Sequence, residues 1–385
     1  MAQHCLLEAG ALRRLGAVVA NTSTPGPRSV FLVSGDDSFA NCGAAEIVQE
    51  CLAPYTVQHL QGLGENPTVE QVQRGLDLWR AHPCDAIVAV GGGTVMDTAK
   101  LINAFAAPAG ATVVDVREAI TDPTPITAAA VPLIAAPTTA GSGSEATHFA
   151  VIYDGHTKHS IADECMRPDV AVIDPLLTES MARPLTAVTG LDALCQGIES
   201  MWSVNATETS LAIAREAVSL AFEHLPIAYS IGNRDAREAM ARAAHLAGRA
   251  IDITKTTASH AISYALTSRH GVPHGHAVAL SLGTVLLYNY GVSALDVTDP
   301  RGARAVRGRI GDICKQLGAR DVTAAREKLT VLLETLNLPT HLHELGITSN
   351  SQLRQLVDNV NTERLANNPR RLDTAALERL VAAFA

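Results

Sequence analysis

Five consecutive apolar residues, Ala86-Ile87-Val88-Ala89-Val90, run without a polar break into Gly91-Gly92-Gly93. A strand that is apolar at every position, not at every second one, has to be covered on both faces. That places it inside a parallel sheet layered by helices. The neighbouring sequence agrees. Ser29–Val33 and Tyr55–Val57 read as strands, while Ala44–Cys51 and Thr68–Ala81 read as helices. Leu133–Ala136 and Val170–Ile173 continue the series as later strands. Alternating strand and helix implies an α/β domain with a parallel, Rossmann-like sheet. Beyond about residue 177 long helical patterns take over, at Ala182–Val204, Glu208–Ala228, Arg234–Ile253 and Ser259–Arg269. The expectation is an α/β domain over residues 1–176 and an all-α domain over 177–385, with the boundary at Asp174-Pro175.

A chain of 385 residues is long enough for two such cores. Aromatics are only 4% of it, which suits helices packed closely on a sheet through small residues. A net charge of −9 argues against a nucleic-acid surface, because phosphates need a basic stripe. It leaves room for a small anionic substrate, which needs only a few local cations. The seven cysteines are odd in number and scattered, as expected of reduced thiols in a cytoplasm. Met1-Ala2-Gln3-His4 lacks the basic and apolar pattern of a signal peptide, and no apolar run approaches the ~20 residues of a membrane helix. A cytoplasmic protein without a membrane partner is expected.

Two segments could carry a dinucleotide. Gly91-Gly92-Gly93-Thr94-Val95-Met96-Asp97-Thr98-Ala99-Lys100 follows the buried strand and opens a helix, so that backbone N–H groups and the helix N-terminus could face a pyrophosphate. Thr94 is placed to cap that helix. The run is not GxGxxG, so the usual Rossmann fingerprint is missing. Pro137-Thr138-Thr139-Ala140-Gly141-Ser142-Gly143-Ser144-Glu145 is a second such loop after an apolar strand. Further on, Asp192 and Gln196 share a helix face, His260 lies on a later helix, and His274 follows the breaker Gly271-Val272-Pro273. A carboxylate, an amide oxygen and two imidazoles suit a divalent first-row metal such as iron(II) or zinc.

At these residues the chain resembles a family, the iron-activated alcohol dehydrogenases. Gly91 to Lys100 is similar to the family's GGGSxxDxAK, and Pro137 to Glu145 to its PTTAGTGSE loop. Asp174-Pro175 resembles its DP, Thr189 to Leu194 its TGMDAL, and His260 with Pro273-His274-Gly275 its later metal positions. The resemblance spans roughly residues 30 to 370. It implies the fold shared by dehydroquinate synthase and iron alcohol dehydrogenases, a metal held by Asp192, Gln196, His260 and His274, and NADH or NADPH bound through Gly91, Gly92, Gly93, Thr94, Asp97, Thr138, Thr139, Ser142 and Ser144. Lys158 resembles a lysine that contacts the cofactor ribose. A homodimer is plausible on the same ground. Two positions depart from the family: Gln196 stands where it usually carries His, and Tyr264 where a proton-transferring His is common.

The segments around Asp192–Asn205, Lys255–Tyr264 and Pro273–His276 are similar to a subgroup that reduces phosphonate aldehydes, phosphonoacetaldehyde or phosphonopyruvate. The implied chemistry is hydride transfer to a metal-polarised carbonyl, with Tyr264 or His270 returning the proton. A phosphonate would need cations, for which Lys255, Arg269, Arg364 and Arg370 (with Arg371 beside it) are candidates, Lys255 first. NADH and NADPH both stay open. Ser34-Gly35 after the first strand leaves space for a 2′-phosphate, whereas Asp36 and Asp37 would repel one. The alternatives are a general short-chain aldehyde reductase, a sugar-phosphate cyclase on the same fold, whose further Lys and His pattern is not evident, and a catalytically silent binding protein.

Overall fold

In the computed structural model, residues 3–23, 26–106, 115–121, 128–155 and 157–385 are described; Met1 and Ala2 of the N-terminal reading lie outside them. The chain divides into two compact units, Met1–Met181 and Ala182–Ala385.

In the first unit the elements run β1 (His4–Leu7), α1 (Leu15–Ala20), β2 (Ser29–Ser34), α2 (Asp37–Asn41), α3 (Ala44–Leu52), β3 (Thr56–Leu60) and α4 (Val69–Ala81). Next come β4 (Ala86–Gly91), α5 (Gly93–Phe105), α6 (Val116–Thr121), β5 (Leu133–Pro137), β6 (Phe149–Asp154), β7 (Thr157–Ala162) and β8 (Val170–Ile173). Six strands form one parallel sheet in the order β1-β8-β5-β4-β2-β3, and β6 and β7 form a separate antiparallel pair. The all-apolar β4 is central and wholly buried. Its Ile87 and Ala89 join Phe31, Val33, Leu76 and Ile102 in one core, and its Val88 and Val90 join Val30, Leu32, Leu15 and Val48 in the other. Thr68 starts α4 with a reciprocal capping box to Gln71.

β2 leads outward to β3, whereas the chain from β4 onward builds the opposite way through β5 and β8. The order therefore reverses between β2 and β4, and the carboxyl ends that flank the reversal are Ser34-Gly35 and Gly91-Gly92. Ligands of open α/β sheets bind at such a switch point.

Asp174, where the sequence suggests the boundary, is tied into the first unit. Its carboxylate accepts from the backbone N–H groups of Gly10 at 2.9 Å, Leu12 at 3.1 Å and Leu176 at 3.1 Å. The short turn Pro175–Thr178 therefore stays with the sheet, and the division falls after Met181.

The second unit is helical apart from an isolated bridge between Val297 and Arg370. Its helices are α7 (Arg183–Trp202), α8 (Glu208–Ser230), α9 (Arg234–Thr254), α10 (Ala258–His270) and α11 (His274–Tyr290). They continue as α12 (Ala303–Gln316), α13 (Val322–Thr335), α14 (Asn350–Asp358), α15 (Thr362–Leu365) and α16 (Thr374–Ala382). From Gly190 to Trp202 every residue of α7 is buried, which marks it as the unit's central helix. No described helix is long and apolar enough to cross a membrane.

Candidate metal centre and cofactor loops

Asp192, Gln196 and Glu199 stand at i, i+4 and i+7 on α7 and so share a face. A side chain at position 275 would put its Cβ 1.8 Å from the Val188 carbonyl oxygen, so only glycine lets the start of α11 lie against α7. That close approach carries His274 to Asp192. His260 comes from the first turn of α10, with Nε2 3.4 Å from an Asp192 carboxylate oxygen and its ring centroid 5.5 Å from that of His274. One ligand atom from each of Asp192, His260 and His274 lies within 4.8 Å of the other two. Gln196, 4% exposed, hydrogen-bonds to Asp192 in the same pocket.

Glu199 is missing from the sequence reading. It is fully buried and accepts from Thr257 Oγ1 at 2.7 Å and Ser259 N at 2.9 Å, with a longer 3.4 Å contact from His260 N. Its second oxygen faces His260 Nδ1. Trp202 Nε1 donates to the same Thr257 hydroxyl at 2.8 Å. In the neutral ring, the form that binds a metal, a carboxylate at Nδ1 makes that nitrogen the donor and leaves Nε2, which faces Asp192, as the lone-pair side. Burial alone would lower the His260 pKa; the charge of Glu199 and hydrogen bonds to Asp192 and Glu199 outweigh it and raise it to about 9. Burial likewise pushes Asp192 and Glu199 up, but the imidazoles hold both below their usual range. Two buried carboxylates facing two imidazoles fit a divalent cation, and the O/N donor set fits a first-row metal.

The other candidates fall in different settings. Tyr264 is half-buried one turn after His260 on α10. His270 ends α10, half-buried, and its buried Nε2 has no hydrogen-bond partner. Arg269 is exposed and donates to Asn359 at 2.9 Å. Arg364 is buried on α15. Arg370 is engaged elsewhere: it donates to Asp296 at 2.7 Å and to the Tyr288 carbonyl at 2.6 Å, and lies 4.1 Å over the Tyr288 ring. Lys255 caps the C-terminus of α9 at φ 58°, ψ 172°. That region is essentially reserved for glycine and costs roughly 1–3 kcal/mol.

In the first unit the two expected loops adjoin, since Gly91 on β4 pairs in register with Pro137 on β5. A Cβ on Gly91 would strike Val95 at 2.5 Å, one on Gly93 would press on Ser142 at 3.1 Å, and one on Gly92 would reach Thr139 at 3.4 Å. The glycines therefore let the loops meet with their backbone bare. Thr138 Oγ1 is buried there without a hydrogen-bond partner, and the backbone at the start of α5 has no side-chain cap. A phosphate group of a dinucleotide would fit both features.

Asp97 and Ser144 brace the loops. Ser144 Oγ donates to Asp97 at 2.5 Å, and Val151 N donates to the other Asp97 oxygen at 2.9 Å. Burial pushes the Asp97 carboxyl up, against the opposing charges of Lys100 and Lys158, the latter on β7. Lys100, the last residue of the Gly91–Lys100 segment, is wholly buried and donates to Ser144 Oγ, Thr147 Oγ1 and the Phe149 carbonyl at 2.9, 2.9 and 3.0 Å. Thr94 does not cap α5. The helix starts at Gly93, with Gly92 as N-cap, two residues before Thr94, and Thr94 Oγ1 instead accepts from Asn66 N at 3.1 Å.

A parallel nucleotide-binding sheet and a helical unit carrying an Asp–His–His cluster are the two parts of a metal-dependent alcohol dehydrogenase. Residues 2–175 match the family model for iron-containing alcohol dehydrogenase, and residues 186–384 match the C-terminal model of the Fe-containing alcohol dehydrogenase family. The chain is 39% identical over 312 residues to phosphonoacetaldehyde reductase of Streptomyces viridochromogenes, covering 78% of this chain and 76% of that one. It is 33% identical over 372 residues to choline dehydrogenase of Bacillus subtilis, covering 95% and 90%. Sulfoacetaldehyde reductase from Bifidobacterium kashiwanohense, solved in complex with NAD+, superposes with a TM-score of 0.89 at 28% identity, covering 100% of this chain and 97% of that one. The chain belongs to the iron-containing alcohol dehydrogenase family and is an NAD(P)-dependent alcohol dehydrogenase or carbonyl reductase.

Proposed function

We propose that the chain reduces a small phosphonate carbonyl, taking phosphonoacetaldehyde to 2-hydroxyethylphosphonate or phosphonopyruvate to phosphonolactate, at the expense of NADH or NADPH. The observation that carries this reading is the 39% identity to phosphonoacetaldehyde reductase. The likeness to a sulfoacetaldehyde reductase supports it, because both substrates are two-carbon aldehydes ending in a tetrahedral anion. A second reading, a general short-chain alcohol dehydrogenase, draws on the choline dehydrogenase match, whose substrate bears the opposite charge.

Asp192, Gln196, His260 and His274 would hold the metal, and Gly91–Gly93, Thr138, Thr139 and Ser142 would bind the dinucleotide, with Lys158 at its ribose. When bound, a divalent iron or zinc ion would polarise the carbonyl and the reduced nicotinamide would supply the hydride. The chain's own work is orientation and proton supply. Glu199 keeps the His260 ring turned with Nε2 inward. Asp97 and Lys100 fix the loop that carries Ser142. Tyr264, one turn beyond His260, or His270 would deliver the proton that completes the alcohol.

The test is NADH and NADPH oxidation followed at 340 nm with phosphonoacetaldehyde, phosphonopyruvate and uncharged aldehydes of similar size. Turnover concentrated on a phosphonate supports the reading. Equal kcat/KM with uncharged aldehydes would leave the family intact and replace the phosphonate assignment with the general one.

A further inference from the structure

Gln196 brings an amide to a cluster otherwise made of a carboxylate and two imidazoles. It is 4% exposed and stands one turn of α7 beyond Asp192, whose carboxylate takes a hydrogen bond from its side chain. A carboxylate only accepts, so the amide turns its Nε2 hydrogens to Asp192, and that contact fixes the orientation of the whole group. The other end of the amide, Oε1, is buried and makes no hydrogen bond. A buried acceptor in that state has given up water without compensation, and a cation in the pocket supplies what it lacks. The neighbouring donors say which kind of cation. Asp192, His260 and His274 bring one oxygen and two nitrogens within 4.8 Å of one another, and Glu199 takes the outer nitrogen of the His260 ring. With Oε1 the set becomes two oxygens and two nitrogens, and the added oxygen is neutral and hard. An imidazole nitrogen at that position would favour zinc over iron(II) more than an amide oxygen does.

We infer that Gln196 ligates the metal through Oε1 and helps to set its identity, narrowing the advantage of zinc over iron(II); this rests on the metal-dependent reading above and not on the choice of substrate. The amide then serves two atoms at once. Nε2 steadies the Asp192 carboxylate, and Oε1 adds a ligand without adding charge, so that Asp192 remains the anionic member of the set.

The experiment measures dissociation constants for zinc and, without oxygen, for iron(II) by chelator competition on wild type, Gln196→His and Gln196→Leu. The visible spectrum of each protein loaded with cobalt(II) reports the ligand set independently of activity. Gln196→His should raise the zinc-to-iron(II) affinity ratio by about tenfold or more and move the cobalt band to shorter wavelength, because a nitrogen replaces an oxygen. Gln196→Leu fills the same space without a donor and should weaken both ions by about tenfold or more. An unchanged ratio and cobalt band in Gln196→His, or a Gln196→Leu protein that holds both ions as tightly as wild type, would overturn the assignment of Gln196 while leaving metal dependence in place. Wild type that takes up neither ion would overturn both.

Discussion

Glu199→Gln changes no volume yet should disable the metal centre. The wild-type carboxylate has one oxygen on Thr257 and Ser259 and the other on His260 Nδ1. In the glutamine variant the carbonyl oxygen can keep the Thr257 and Ser259 bonds, so the NH2 group is left facing Nδ1. Two donors then meet, and the ring escapes the clash by moving its proton to Nε2, the atom that faces Asp192. Either the metal displaces that proton against an unfavourable hydrogen bond, or the ring turns. Loss of an orienting carboxylate of this kind typically weakens metal affinity 10- to 100-fold, about 1.4–2.8 kcal/mol. Competition with a chromophoric chelator, on zinc-loaded wild type and variant, measures the dissociation constants directly. Far-ultraviolet circular dichroism should be unchanged, because the helices keep their packing. A variant that holds zinc within twofold of wild type would refute the orienting role.

Other perturbations reach the remaining parts. Gly275→Ala cannot be accommodated beside the Val188 carbonyl, so α11 must back away from α7; metal stoichiometry should fall well below that of wild type in any protein that still folds. Lys100→Met removes a buried ammonium with three acceptors whose charge acts on Asp97; urea denaturation should show a loss of about 3–5 kcal/mol, and nicotinamide fluorescence should show weaker NAD(P)H binding. For metal-free protein the pH dependence follows from His260, whose folded pKa is raised from 6.5 to about 9. A raised pKa stabilises the fold fully below 6.5, and that contribution is lost as pH climbs through 9, so the melting temperature of stripped protein should fall across this window. Metal-loaded protein should lack that fall, since the proton is replaced.

The central strand and both glycine-rich loops were legible because their signals are local. Ala86–Val90 is apolar at every position, and its burial on both faces follows from that alone. β1 was not legible: His4-Cys5-Leu6-Leu7 is short, partly exposed and becomes a strand only by pairing with β8. The β6–β7 hairpin hid in the same way, since Thr157–Ala162 is largely polar. Neither Glu199 nor Lys100 could be given a role of its own from sequence, because their partners arrive from far along the chain, Thr257 to His260 for one and Ser144 to Phe149 for the other. Arg370 shows the converse. It sits in a suggestive sequence context, yet Asp296 and Tyr288 already occupy its guanidinium. That Asp192, His260 and His274 come together was suggested by the order of residue types; the close approach at Gly275 and the Glu199 brace could be seen only once the helices were packed.

Metal dependence is tested by titrating activity with metal. Protein stripped with chelator and returned to iron(II) or zinc in small steps would be assayed at 340 nm with NAD(P)H and phosphonoacetaldehyde. A reductase whose metal sits on Asp192, His260 and His274 should show negligible turnover when stripped, recovery in proportion to added metal up to about one equivalent per chain, and no recovery in His274→Ala. Full activity in stripped protein, or recovery unaffected by loss of His274, would contradict it.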